Sequence, residues 1–123
     1  SRGLGDVYKR QDLSSTLAAV EVLDEVTVLV ERELGIALDR ESYNYARFAM
    51  HIQFLVRRLS SGKVMEQGSG KMLSELSAEY PATYRCAQAV AKEIEQRHGW
   101  HCSSDEVLYL MLHIYRVQNR QND

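Results

Sequence analysis

Apolar residues recur every three to four positions in five blocks of this chain, and the period breaks at glycine, serine or proline. The last block, residues 103–117 (SSDEVLYLMLHIYRV), has the broadest apolar surface. At 100° per residue Val107, Leu110, Met111 and Ile114 share one stripe, and Leu108, Leu112 and Tyr115 widen it beyond that of a half-buried helix. Such a helix calls for cover on more than one side, by its own bundle and by a second chain. Ser103 and Glu106 have capping-box spacing: the hydroxyl accepts from the amide of Glu106, and the carboxylate reaches back to the amide of Ser103. The narrow polar strip that remains carries Tyr109, His113 and Arg116.

The other blocks follow the same logic. Over residues 14–34, Leu17, Val20, Leu23 or Val26, Val30 and Leu34 recur at helical spacing, and Gly35 suits the left-handed position that closes a helix. Asp39 is the expected N-cap of a second helix to about residue 60, with Tyr45, Phe48, Ile52, Leu55 and Leu59 as its core stripe. Residues 60–70 (SSGKVMEQGSG) lack a period and read as a mobile loop. A short third helix over 71–79 carries Met72, Leu73 and Leu76. Pro81 suits the first turn of a fourth, where its missing amide costs nothing. That helix aligns Tyr84, Ala87, Ala91, Ile94 and His98, and Gly99 stops it. Residues 1–11 (SRGLGDVYKRQ) mix glycine with charge without a period, and read as a disordered tail, a linker end or expression-derived sequence outside the fold. Residues 121–123 are a short tail. The expectation is one domain over 12–120, an all-α five-helix bundle built of antiparallel helix pairs.

Composition agrees with that picture and narrows the partners. A chain of 123 residues holds one domain with a real core and has little room for two. One proline and seven glycines favour helices over strands. A formal charge of −2 argues against this piece holding a nucleic acid backbone by itself, which needs clustered cations. Cys86 and Cys102 make no disulfide framework and read as buried, reduced thiols. With no signal peptide and no apolar run of membrane length, the chain reads as cytoplasmic.

The candidate chemistry lies on two helices. On the second, His51 falls at the edge of the apolar stripe, with Arg47 one turn before and Arg58 two turns after. Guanidinium groups beside an imidazole disfavour its protonation and leave a ring nitrogen free. The same groups can hold the oxygens of a phosphoryl group arriving there. His113, with Arg116 and the Tyr109 hydroxyl, has a weaker version of that environment. From spacing alone, a histidine at the margin of an amphipathic helix is more often a structural polar contact, and the arginines more often a solvated face. His98, His101 and Cys102 suggest a metal cluster, but Gly99 interrupts them and no second ligand pair has matching spacing, so no metal is expected. No nucleophile–base–acid set and no phosphate-binding glycine loop is visible. Neither an enzymatic activity nor a cofactor is expected.

The two histidine segments, YNYARFAMHIQFLVRRL (43–59) and DEVLYLMLHIYRV (105–117), resemble the two histidine motifs of the phosphotransferase-system regulation domain. The stretch between them, LSAEYPATYRCAQAVAKEIEQRHGW (76–100), resembles the family's tyrosine–proline and alanine-rich helix pattern. The likeness runs over about 14–117. These domains belong to bacterial sugar-operon regulators, above all the Bgl/Sac/Lic-type transcriptional antiterminators, which carry two copies behind a small RNA-binding domain. First copies typically have an aspartate just before the first histidine; here Met50 stands there. The Arg47–Phe48 pair and the chain end soon after Val117 resemble the second copy.

The resemblance implies that His51 and His113 are phosphorylated by the phosphocarrier protein HPr or by a sugar-specific transport component (enzyme II) of that system. Phosphate would then tune homodimerisation and, through a missing N-terminal domain, RNA binding. Arg47, Arg58, Arg116 and Tyr109 are the candidates to contact phosphate or partner, while Arg57 lies on the far side of its helix. Two alternatives stand beside this reading. The domain could belong to a DNA-binding activator, or it could be a plain helical dimerisation module with inert histidines. The resemblance does not specify the sugar operon, the order of phosphorylation or the sign of regulation.

Overall fold

In the computed structural model the chain forms five helices, α1 (Arg2–Leu34), α2 (Tyr43–Ser60), α3 (Gly70–Glu79), α4 (Pro81–His98) and α5 (Ser104–Asn119). The structure describes residues 2–63, 65 and 67–119, of which 2–12 and 15 by backbone alone. There is no strand among the described residues, and the all-α bundle expected from the periodicity is what forms. Residues 2–11, expected outside the fold, continue α1. Gly3 and Gly5 each weaken a helix by about 1 kcal/mol. Extending an existing helix is far easier than starting one, and no proline interrupts the segment. Residue 1 and the expected tail at 121–123 lie outside the described residues.

The buried face of α1 is Ala19, Val22, Val26, Leu29 and Val30, whereas Leu17 and Val20 point outward at 61% and 64% exposure. The expected stripe holds at Val26 and Val30 and fails at Leu17 and Val20. Two apolar rows run along this helix, one through Leu13, Leu17, Val20 and Val28 and one through Val22, Val26 and Leu29. A period near 3.6 is satisfied by either row, and packing selects the second. Thr27 is buried among them because its hydroxyl bonds to the carbonyl of Leu23 at 2.7 Å and to the Tyr45 hydroxyl at 2.8 Å.

The N-cap of α2 is Ser42, not Asp39: its Oγ accepts from the amide of Tyr45 at 3.0 Å. Asp39 instead builds the preceding turn. Its carboxylate accepts from the amide of Glu41 and its carbonyl from the amide and hydroxyl of Ser42. From this start α2 buries Phe48, Ile52, Leu55 and Val56, with Tyr45 and Leu59 packed half-buried at the margin.

Pro81 opens α4, and Gly99, at φ 73°, closes it in the left-handed conformation that suits glycine. The small side chains of Cys86 and Ala87 on its inner face let the neighbouring helices come close. Both cysteines are buried and unpaired, and burial pushes each thiol up to about 12. α3 is a surface helix: it buries no residue completely, and only Leu73 and Leu76 rest against the core.

Helix α5 contacts α2, α3 and α4, while α1 closes the bundle against α2 and α4. Leu108, Leu110, Met111, Ile114 and Val117 are buried on it. Such side chains each contribute about 1.5–3 kcal/mol when removed from water. Leu112 and Tyr115 stay 49% and 42% exposed, so this bundle covers only part of the broad apolar surface.

The linker between α2 and α3, expected as a mobile loop, is tied to the start of α5. Asp105 accepts from the amides of Gln67 and Ser69 at 2.8 and 2.9 Å, and the Ser103 hydroxyl donates to the carbonyl of Met65. The Ser69 side chain, followed by the amides of Gln67 and Ser69, holds the Asp105 carboxyl below the usual range.

Candidate functional site

Helices α2 and α5 meet along two polar strips with matching helical spacing. Asn44, Arg47, His51 and Arg58 lie on α2; Glu106, Tyr109, His113 and Arg116 lie on α5. The pairings run in opposite directions: Arg58 near the end of α2 meets Glu106 near the start of α5, and His51 meets Tyr109 and His113 further along. The two helices are thus antiparallel along the site.

At its centre the imidazoles of His51 and His113 stack, with ring centroids 3.7 Å apart and planes at 18°. Spacing in the sequence treated them as two environments, each with its own arginines. The structure makes them one. Both rings are held below the usual histidine range, and for both the leading cause is burial between the helices rather than the arginines. Arg116, Arg47 and Arg58 then add to the effect on either ring, and His51 adds to that on His113, which falls to about 4. At neutral pH the stack is two uncharged imidazoles.

Tyr109 closes one side. Its hydroxyl donates to the backbone carbonyl of His51 at 3.0 Å and lies 3.0 Å from His51 Nδ1. Its ring meets both imidazoles nearly edge-on. Phe54, on α2, covers the other side of His51 edge-on at 5.9 Å.

The three arginines differ in what already engages them. Arg58 forks onto Glu106 (Nε–Oε1 3.3 Å, Nη2–Oε2 3.5 Å) and lies 4.4 Å over the Tyr109 ring. Glu106 is 2% exposed, so this pair is a buried structural clamp. The capping box is only half made: Ser103 Oγ accepts from the Glu106 amide at 3.4 Å, while the Glu106 side chain has gone to Arg58. Arg47 donates to the Asn44 side chain and lies over the Tyr43 ring. Arg116 has no ion-pair partner among the described residues. The guanidinium groups open to an incoming anion are therefore Arg47 and Arg116, at the end of the site opposite Glu106. Arg57 is exposed, as its helix position predicts.

Glu106 is the site residue that the sequence reading assigned to another task. A signal for it exists: Glu106, Tyr109, His113 and Arg116 fall on one helical line at spacings of three, four and three.

His98, His101 and Cys102 do not converge. His98 bonds to Glu25 on α1 at 3.2 Å and stacks on Trp100, His101 faces Glu95 at 3.4 Å, and Cys102 is buried. Among the described residues the one group with metal-ligand spacing is Glu21, Glu25 and His98, and there Arg97 lies 3.7 Å from Glu25.

Fold and site together define an all-helical domain organised around an opposed pair of histidines. The model of the PRD domain family matches residues 24–117, and the chain belongs to that family, the one its two histidine segments resemble. It is 30% identical over 107 residues to the transcription antiterminator LicT of Bacillus subtilis, covering 87% of this chain and 39% of that protein. It is 34% identical to the GlcA/glcB genes antiterminator of Staphylococcus carnosus, over 83% of this chain and 36% of that protein. Protein GlcT of Staphylococcus aureus is 32% identical over 76% of this chain and 33% of its own length. The chain thus spans between a third and two-fifths of the curated relatives it matches. None of the helices described is long and apolar enough to cross a membrane.

Proposed function

We propose that this domain is the phosphate-responsive regulatory part of a cytoplasmic sugar-operon transcription antiterminator. His51 and His113 accept phosphoryl groups from HPr or from a sugar-specific enzyme II. The observation that carries this reading is the stacked, uncharged pair of imidazoles between α2 and α5, with Arg47 and Arg116, neither in an ion pair among the described residues, at one end. A neutral ring offers a lone pair to phosphorus, and guanidinium forks neutralise the charge that arrives. The antiterminator relatives favour RNA over DNA as the target of the parent protein, reached through a domain outside this chain. Arg47–Phe48 and Met50 favour the second of two tandem copies, by their resemblance to that copy's first histidine motif.

The physical consequence is a switch. A phosphoryl group brings about −1.5 to −2 charges at neutral pH. The new N–P bond lies in the imidazole plane, so the phosphoryl group projects from the edge of the stacked pair and brings its charge and bulk into the contact between α2 and α5. The helices then shift or the group swings towards Arg47 and Arg116. Met50, Phe54, Leu112 and Tyr115 are exposed apolar residues on these two helices, so either change alters the surface offered to a second copy.

Incubation with the reconstituted phosphocarrier system should give acid-labile, base-stable phosphate on the wild-type chain. Each single variant, His51→Ala or His113→Ala, should lose part of it and the double variant all of it. A wild-type chain that takes up no phosphate would leave a helical module with inert histidines.

A further inference from the structure

We propose that Tyr109 is a positioning residue: it holds the His51 ring with its proton on Nδ1 and so directs phosphoryl transfer to Nε2. The proposal deepens the functional reading above and rests on it for the transfer, but not for the tautomer.

The argument is a hydrogen count. A tyrosine hydroxyl has one hydrogen and can accept from others. The Tyr109 oxygen lies 3.0 Å from the His51 carbonyl oxygen and 3.0 Å from His51 Nδ1. A carbonyl only accepts, so the hydroxyl hydrogen belongs there. The contact with Nδ1 is then a hydrogen bond only if the ring nitrogen donates. The opposite assignment, with the hydroxyl donating to Nδ1, leaves two oxygens at 3.0 Å with no hydrogen between them. That arrangement is costly in a partly buried site. With Nδ1 protonated and the ring neutral, the bare lone pair is at Nε2.

Tyr109 is well placed to enforce this. It sits on α5, one turn before His113, and Arg58 covers its ring at 4.4 Å. The Glu106 carboxylate fixes Arg58 in turn. A single side chain thus spans α5 to α2 and grips His51 at both backbone and ring.

The transfer needs no proton shuttle in this state. The Nε2 lone pair of His51 forms the new N–P bond while the P–N bond of a donor phosphohistidine breaks, and that bonding pair returns to the donor nitrogen. The Nδ1 proton stays where it is, and the Tyr109 oxygen accepts from it as the ring becomes positively charged. Attack through Nδ1 would require that proton to leave and the bond to Tyr109 to break.

Two measurements test this. In the 15N-labelled wild-type chain near pH 8, long-range 1H–15N spectra should show His51 protonated on Nδ1. In Tyr109→Phe the His51 signals should shift towards the Nε2–H form that histidine ordinarily prefers. A wild-type His51 protonated on Nε2, or a tautomer unchanged in the variant, overturns the proposal without reference to phosphorylation. The second measurement treats the chain with phosphoramidate, a small donor that needs no partner protein, and maps the isomer at His51 after alkaline digestion. Wild type should carry phosphate on Nε2 with no detectable Nδ1 isomer, and Tyr109→Phe should yield both. Nδ1-phosphate on the wild-type residue overturns the proposal. No phosphate on His51 from either phosphoramidate or the phosphocarrier system overturns the functional reading, while the spectra still decide the tautomer.

Discussion

The buried imidazole of His113 makes the stability of this domain depend on pH in a window that can be stated in advance. The ring titrates at about 4 in the folded chain, against 6.5 for an unperturbed histidine. Between those values the unfolded chain binds a proton that the folded chain refuses, so stability falls as the pH drops from about 6.5 towards 4. Above the window both states are neutral and the residue contributes no pH dependence. At 1.36 kcal/mol per unit, and allowing for partial protonation of the folded form at the lower end, the loss is about 3 kcal/mol at pH 4. Halfway through the window it is about 2 kcal/mol by the same linkage relation. Carboxylates also gain protons as the pH falls, and burial raises the Glu106 carboxyl above its usual range. The informative quantity is therefore the difference between wild type and His113→Gln, which keeps a polar side chain of similar reach and cannot be protonated. Urea unfolding of both proteins at about pH 7.5, 5.5 and 4, with unchanged m-values, supplies it. The variant should lose less stability than wild type as the pH falls, with the gap opening between 6.5 and 4. Parallel curves would refute the reasoning, because they would mean that the ring is hydrated in the folded state.

Three further perturbations follow from other contacts. Glu106→Ala leaves Arg58 without its buried partner and should cost about 2–3 kcal/mol in urea unfolding. The value lies at or below the low end for buried pairs because the Arg58 side chain is 25% exposed and can regain water. Ser42→Ala removes the N-cap of the helix that carries His51 and should lower stability by about 1 kcal/mol, read as a shift of the urea midpoint. Asp105→Ala removes the acceptor for the amides of Gln67 and Ser69, so hydrogen exchange at those two amides should accelerate while the core of α5 keeps its protection; unchanged rates would show that the loop is held by other contacts.

Much of the helical plan is local and was legible in the chain. Gly35 and Gly99 adopt positive φ where the pattern places helix ends, and Pro81 sits where its missing amide is harmless. These are properties of single residues and their neighbours, needing no tertiary information. The inner faces of α2 and α5 were legible for a related reason: one row of apolar side chains dominates each wheel, so any packing buries Ile52 and Leu55 on one and Leu110 and Ile114 on the other. Helix α1 has two competing apolar rows, and there the pattern chose Leu17 and Val20, which lie outside. Its start was missed too, because a glycine-containing segment without a period can still extend a helix nucleated elsewhere.

The candidate site divides along the same line. The sequence by itself determined that His51 and His113 sit on polar strips beside arginines, because helical spacing is a local rule. Only the tertiary structure decided that the two strips face each other, that their rings stack, and that the same three arginines act on both. It alone turned Glu106 away from the capping box to Arg58, and set Tyr109 between the ring and the backbone of His51. Those relations depend on the antiparallel register of α2 against α5, which is set by how side chains from both helices interlock in the core. Residues 58 and 106, or 51 and 113, are too far apart in the chain for any periodicity to relate them, and a shift of one helical turn would have brought different pairs together.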